Sequence, residues 1–345
     1  MRFPSILMPR NISFKAALLA VPIVMYAVLC AVPASAQMLA GEREAKISAI
    51  PGVVSGDAKW ELIWADFYTA DGIAGVSADG SVMFAQEQTD KIIKLNGEGK
   101  QFTVAGADAP GAVSIDTNGN IYTVERGCTE PLNDELAGCN RLTRVVQILP
   151  EYKVLADSFN DGRSLGRLND LIADGKGGAY FTQRGLYYAN PNGKVDVVAE
   201  DGLFSNGVML NKAGTRVYVT NNTEVLVFDV NQDGSTKNRR VFASLNGDNG
   251  GDGMAIDNED RLYVTGAQGV HVIAADGTHL GVIPTKRRAI TLAFSGPDKK
   301  YLYVPQMGAV GPDGKAWETP EGIRNTAMTI YRIPMEAQGF LGRPK

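Results

Sequence analysis

The sequence predicts an all-β chain, a six-bladed β-propeller whose four-stranded antiparallel blades surround a central channel. Three observations lead there. Six segments share one pattern: an apolar run, a polar turn rich in Asp, Asn and Gly, then a strand of aromatic or β-branched residues. They recur at separations of about 38 to 46 residues, apart from one gap near 58. Amphipathic helical patterning is nearly absent between them. A period of roughly 40 residues with hairpin-type turns suits a blade of four short strands. It is too regular for a β-sandwich and too long for one coil of a β-solenoid.

The chain opens on a segment of another kind. Arg2, Arg10 and Lys15 precede an apolar run from Ala16 to Val32, and Pro33-Ala34-Ser35-Ala36 then offers a small-residue cleavage site. Residues 1–36 therefore read as a secretory signal peptide cleaved near Ala36, making the mature bacterial protein periplasmic or secreted. A membrane anchor is the alternative, although a run of about 17 residues is marginal for spanning. Leu29 before Cys30 speaks against a lipoprotein signal. No other stretch is long and apolar enough to cross a bilayer. Cleavage leaves about 309 residues and takes the formal charge from −4 to about −7. That acidity disfavours nucleic acid and anionic membrane as partners. Nothing in the sequence fixes an oligomeric state.

Residues 37–59 show no strong period and read as an N-terminal arm, with 60–345 as a single propeller domain. Trp60-Glu61-Leu62-Ile63-Trp64 reads as a strand. It is expected to pair with the C-terminal repeat and close the ring, removing exposed strand edges. The repeats begin GVSADGSVMF at Gly75, VSIDTNGNIYTV at Val113, LIADGKGGAYFT at Leu171, VMLNKAGTRVYVT at Val208, MAIDNEDRLYVT at Met254 and LAFSGPDKKYLYV at Leu292. The longest gap holds Cys128 and Cys139, the two cysteines left after cleavage. In an oxidising compartment so close a pair is expected to form a disulfide. A metal site is the weaker reading there, with no His or further Cys nearby.

Several tempting motifs do not hold. Asp229-Val230-Asn231-Gln232-Asp233-Gly234 starts like an EF-hand loop, but Arg240 stands where a bidentate Glu is needed and strands flank it, so a hairpin turn is expected. The glycine-rich Gly247–Gly253 run lacks a following Lys-Ser/Thr and a helix, which argues against phosphate cradling. His271 lies in an apolar strand and His279 in a turn, and both read as structural.

What remains is a repeated loop position. Asn169, Asn206 and Asp252 each lie five residues before the turn residue Asp174, Asn211 or Asp257. In a radial array, side chains at matching points of several repeats converge on the axis. Their oxygens are hard ligands, suited to one divalent cation, calcium foremost, with zinc, magnesium or manganese also possible. Ordinary turn chemistry is the alternative for any single one. The same count lands on Gly111 in the second repeat and Ile290 in the sixth. In the first it lands on Gly72, with Asp71 one step off.

The segments Arg167-Leu168-Asn169-Asp170-Leu171, Ser205-Asn206-Gly207-Val208 and Asp252-Gly253-Met254-Ala255-Ile256-Asp257 resemble signature segments of the SMP-30/gluconolactonase family. Gly269-Val270-His271-Val272, Asp276-Gly277 and Leu292-Ala293-Phe294 are similar to its last two blades. The resemblance covers about residues 71 to 310. It implies a six-bladed propeller holding one divalent cation in the channel and, in many members, lactone hydrolysis. It further implies that Asn206 and Asp252 are metal ligands, that Asn169 is a ligand or substrate contact, and that Arg167 contacts substrate. The family's remaining ligand is a Glu at the start of blade one. Here Asp71-Gly72-Ile73-Ala74 occupies that region, and Asp71 supplies a carboxylate one methylene shorter. Two functions follow as expectations. The first is a metal-dependent hydrolase of a small lactone or sugar-derived ester, with Asp252 also serving catalysis. The second is a non-catalytic propeller that binds a small ligand or protein at the same face.

Overall fold

The computed structural model describes residues 38–127, 142–309, 311, 313, 315, 318–319, 322–323 and 327–342. The segment read as a signal peptide, together with Cys128 and Cys139, lies outside the described residues. Six four-stranded antiparallel sheets follow one another, and the chain is a six-bladed β-propeller. The inner strands are Asp71–Gly75, Pro110–Ile115, Leu171–Ala173, Ser205–Leu210, Met254–Ile256 and Ala293–Ser295. Each packs against the inner strand of the next blade, and the sixth packs against the first, so they enclose the channel.

Blade six is assembled from both parts of the chain. Glu61–Ala65 pairs with Ala327–Pro334 as its outermost strand, in the register Glu61 to Arg332 and Ala65 to Thr329. The expected closure is thus present. It is tied to blade one by Trp64, whose ring lies 5.0 Å from that of Phe84 and whose Nε1 donates to Gln101 Oε1 at 2.8 Å. The arm is more than a leader. Ile47, Ile50, Val53 and Val54 are buried against Val270 and Ile283 of blade five and Leu302 and Val304 of blade six.

In blades two to five the hairpin after the inner strand is fixed by the side chain that ends it. Asp174 Oδ1 accepts from the backbone N–H of Lys176 at 2.7 Å and of Gly178 at 3.0 Å. Asp116, Asn211 and Asp257 serve their own turns in the same way. This is the Asx-type turn, in which a short side chain replaces a backbone partner. Blade one differs. In blade one Val76 follows the strand, and Asp79 holds the turn through Ser81. The EF-hand-like segment is a hairpin turn, with Asn231 N–H donating to Ser235 O at 2.8 Å.

Candidate functional site

Strand pairing decides which residues are equivalent. Val208 pairs with Val219, Leu171 with Phe181, Met254 with Val264, and Ile73 with Phe84. Two residues before those positions stand Asn206, Asn169, Asp252 and Asp71. The residue at the level of Asn206 in blade one is therefore Asp71, and Gly72 is the bulge beside it. Counting from polar turn residues slips by one here because Val76, whose side chain holds no turn, stands where repeats two to five carry Asp or Asn. Blade two contributes Gly111 at this level, since Val113 pairs with Thr123.

The four oxygen-bearing side chains lie at one end of the channel, and each is half-buried. The backbone at this level is clamped between blades. Thr182 Oγ1 donates to Asn206 O of the following blade, and Thr265 Oγ1 donates to Ile290 O at 2.9 Å. The residue after Asp71, Asn206 and Asp252 is glycine, where the next inner strand presses in. A Cβ on Gly207 would lie 2.1 Å from Asp252 O, and one on Gly72, at φ +38°, would lie 2.1 Å from Ala112 Cα. Blade three carries Asp170 at that place. Its buried carboxylate accepts from its neighbour Leu171 N–H at 2.9 Å and from Val208 N–H of blade four at 3.1 Å.

The side chains divide into two pairs. Asp71 and Asn169 are held by Arg126, whose side chain is 5% exposed. Arg126 Nη1 donates to Asp71 Oδ2 at 2.8 Å and to Glu87 Oε2 at 3.0 Å. Its Nη2 donates to Asn169 Oδ1 at 3.3 Å and to Asn169 O at 3.2 Å, and its Nε donates to Leu168 O at 3.0 Å. Glu87 is buried and also accepts from Arg167 Nη2 at 3.1 Å. Asp252 and Asn206 are different. Among the described residues neither the Asp252 carboxylate nor the Asn206 amide has a hydrogen-bond or ion-pair partner.

Burial in the channel wall pushes the Asp252 carboxyl well above the ordinary carboxylate range. Repulsion from Asp71 and Asp170 adds to that, and Arg288 and Arg126 oppose it. A carboxylate without a partner in such surroundings is stabilised by any cation that reaches it. Arg288 is exposed, on a backbone anchored by Met307 N–H to Arg288 O at 2.8 Å. A Cβ on Gly250 would lie 3.1 Å from its Nη2, so the guanidinium overhangs the loop leading to Asp252.

Among the described residues no three His, Cys, Asp or Glu side chains form a metal cluster by themselves. A cation here would have to draw on amides too. Two carboxylates and two amide oxygens at matched positions are a donor set that suits a hard divalent ion. Asp252 and Asn206 stand ready for it, while Asp71 and Asn169 are shared with Arg126.

Glu87 and Arg126 were not singled out from the sequence. Both project from the end of a second strand, one place further round the same repeat column. Aligning Gln86-Glu87, Glu125-Arg126 and Gln183-Arg184 exposes that column, and with it the opposite charges on blades one and two. The histidines lie elsewhere. His271 Nε2 meets buried Asp248 Oδ2 at 2.9 Å, and His271 Nδ1 meets His279 Nε2 at 2.9 Å, within blade five. Asp248, from the glycine-rich run, is thus engaged in blade packing.

A closed ring of six blades, with carboxylates and amides gathered at one channel mouth, defines the class: propellers with a polar axial site. The SMP-30/Gluconolactonase/LRE-like model matches residues 69–307, and the chain belongs to that family. A gluconolactonase of Zymomonas mobilis is 24% identical over 176 residues, 43% of this chain and 49% of that protein. Lactonase drp35 of Staphylococcus aureus is 24% identical over 191 residues, 50% of this chain and 56% of that protein. The matches thus span about half the length of these curated relatives. Among solved structures, a Xanthomonas campestris gluconolactonase superimposes with a TM-score of 0.65 at 19% identity, covering 86% of this chain and 96% of the other. The calcium-binding protein regucalcin of Agrobacterium tumefaciens gives 0.59 at 16%, covering 82% and 96%. These structural likenesses bear on the fold.

Proposed function

We propose that the chain is a lactone hydrolase that works at the Asp252 end of the channel with one divalent cation, calcium in first place. The observation that carries this reading is the pair Asp252 and Asn206. Both side chains are half-buried and, among the described residues, without a partner, at the same ladder position as Asp71 and Asn169. A carboxylate desolvated beside two others is costly unless a cation joins it. Membership of the family, and relatives named for lactone hydrolysis, support the reaction class.

Asp252, Asn206, Asn169 and Asp71 would hold the ion. When bound, the cation supplies Lewis-acid polarisation of the lactone carbonyl. The rest falls to the protein. Asp252 is the carboxylate placed to accept a proton from the attacking water. Arg167 and Arg288 present guanidinium donors that orient a hydroxylated or anionic lactone. The backbone clamps through Thr182 and Thr265 keep the loop mouths in place during turnover.

Proton release on opening of a gluconate-type lactone tests this. The rate should fall to background in protein treated with chelator and return on adding calcium. Ring opening that never exceeds background in calcium-loaded protein would favour a non-catalytic binding propeller. The pattern over residues 1–36 supports export, and the Cys128 and Cys139 pair supports a disulfide in the mature protein. Mass spectrometry of exported material should find a chain starting near Gln37 with no free thiol.

A further inference from the structure

We propose that Arg126 is a built-in counter-ion of the channel, which competes with the divalent cation for Asp71 and Asn169 and thereby weakens its binding. The proposal rests on the cation reading above. Its basis is the placement of one guanidinium. Arg126 belongs to blade two, where the repeat's ligand position is Gly111 and offers no side chain. A Cβ on Gly111 would lie 2.0 Å from Arg126 Nε. The guanidinium thus takes up the volume a blade-two side chain would need.

From there it touches blade one through Asp71 and Glu87, and blade three through Leu168 and Asn169. Two of the four oxygen ligands therefore accept hydrogen bonds from a fixed positive charge. That charge is buried and cannot swing into water, so it is poorly screened. It acts on an incoming dication in two ways. It repels the ion directly, and it occupies lone pairs on Asp71 and Asn169 that would otherwise coordinate. Removing it leaves Glu87 still paired with Arg167, whose Nη2 is 3.1 Å from Glu87 Oε1. An Arg126→Gln variant therefore keeps Arg167 as a cationic partner of the buried carboxylate.

The test is calorimetric titration of calcium alone into chelator-stripped full-length protein. Arg126→Gln should bind calcium at least about tenfold more tightly than wild type, a gain that damage to the fold does not produce. Asp71→Asn should cost wild type less than about threefold, because Arg126 already neutralises that carboxylate. In the Arg126→Gln background the same change should cost more than about tenfold. Equal affinity of wild type and Arg126→Gln would overturn the proposal and leave the cation reading standing. Absence of calcium binding in both proteins would overturn the two together. Should Arg126→Gln fail to fold, Asp71→Asn alone still decides, since a loss above tenfold in wild type would show Asp71 free to coordinate.

Discussion

Arg167 donates Nη2 to buried Glu87, while Arg288 stands exposed over the loop that leads to Asp252. The two guanidiniums therefore make different predictions. Arg167→Ala should lower kcat/KM about tenfold, the worth of one charge-assisted hydrogen bond, with bound calcium unchanged by metal analysis. Arg288→Ala should raise KM about tenfold for lactones bearing a carboxylate and leave neutral lactones nearly unaffected, as steady-state kinetics on matched substrates can read. Loss of calcium in Arg167→Ala would instead make that residue part of the support for the ion. The blade-three loop thus combines a proposed ligand, Asn169, a guanidinium, Arg167, and an inter-blade clamp, Asp170, in four residues. Only Asn169 and Arg167 could be picked out by pattern, because the use of Asp170 depends on Val208 N–H lying against it.

Where the connection from blade four meets blade five, the relay from Asn246 through His279 and His271 to Asp248 has one consistent proton arrangement. Asp248 only accepts, so His271 carries its proton on Nε2. His271 Nδ1 then accepts from His279 Nε2, and His279 Nδ1 accepts from Asn246 Nδ2 at 3.0 Å. Burial, with help from His271, holds the His279 pKa below its ordinary value. Burial works to raise the Asp248 carboxyl, but hydrogen bonds from His271 and from the Gln268 and Ala267 backbone outweigh it and hold it below the ordinary range. The sign follows for His279. The fold prefers the neutral ring, so its stability is complete above the unfolded value near 6.5 and declines as pH falls through the lowered one. The melting temperature should be lower at pH 5.5 than at pH 7.5, by about 2 °C, and His279→Gln should flatten that difference. An identical slope in the variant would show that other groups control it.

Across the whole molecule, closure depends on Glu61–Ala65, which pairs with Ala327–Pro334 from the other end of the chain. Trp64 is 7% exposed and ties blade six to Phe84 and Gln101 of blade one. Trp64→Ala should cost about 3 kcal/mol in denaturant unfolding, by the cavity it leaves. The ring was legible in the sequence because each blade repeats its own turn chemistry, and Asp174, Asn211 and Asp257 give the same count to Asn169, Asn206 and Asp252. Asp71 was legible only in part, since Val76 breaks the count in blade one. Arg126 and Glu87 escaped because they act across blades, and no single repeat contains both. The packing of Ile47, Ile50 and Val53 escaped because their partners lie in blades five and six, far along the chain. The central claim, a cation held at the mouth by Asp252, has a direct measurement in calorimetric titration of calcium into wild type and Asp252→Asn. The substitution keeps size and hydrogen-bonding shape and removes one negative charge, so calcium affinity should fall about a hundredfold or more while the folded protein persists. Unchanged affinity in Asp252→Asn would contradict the account.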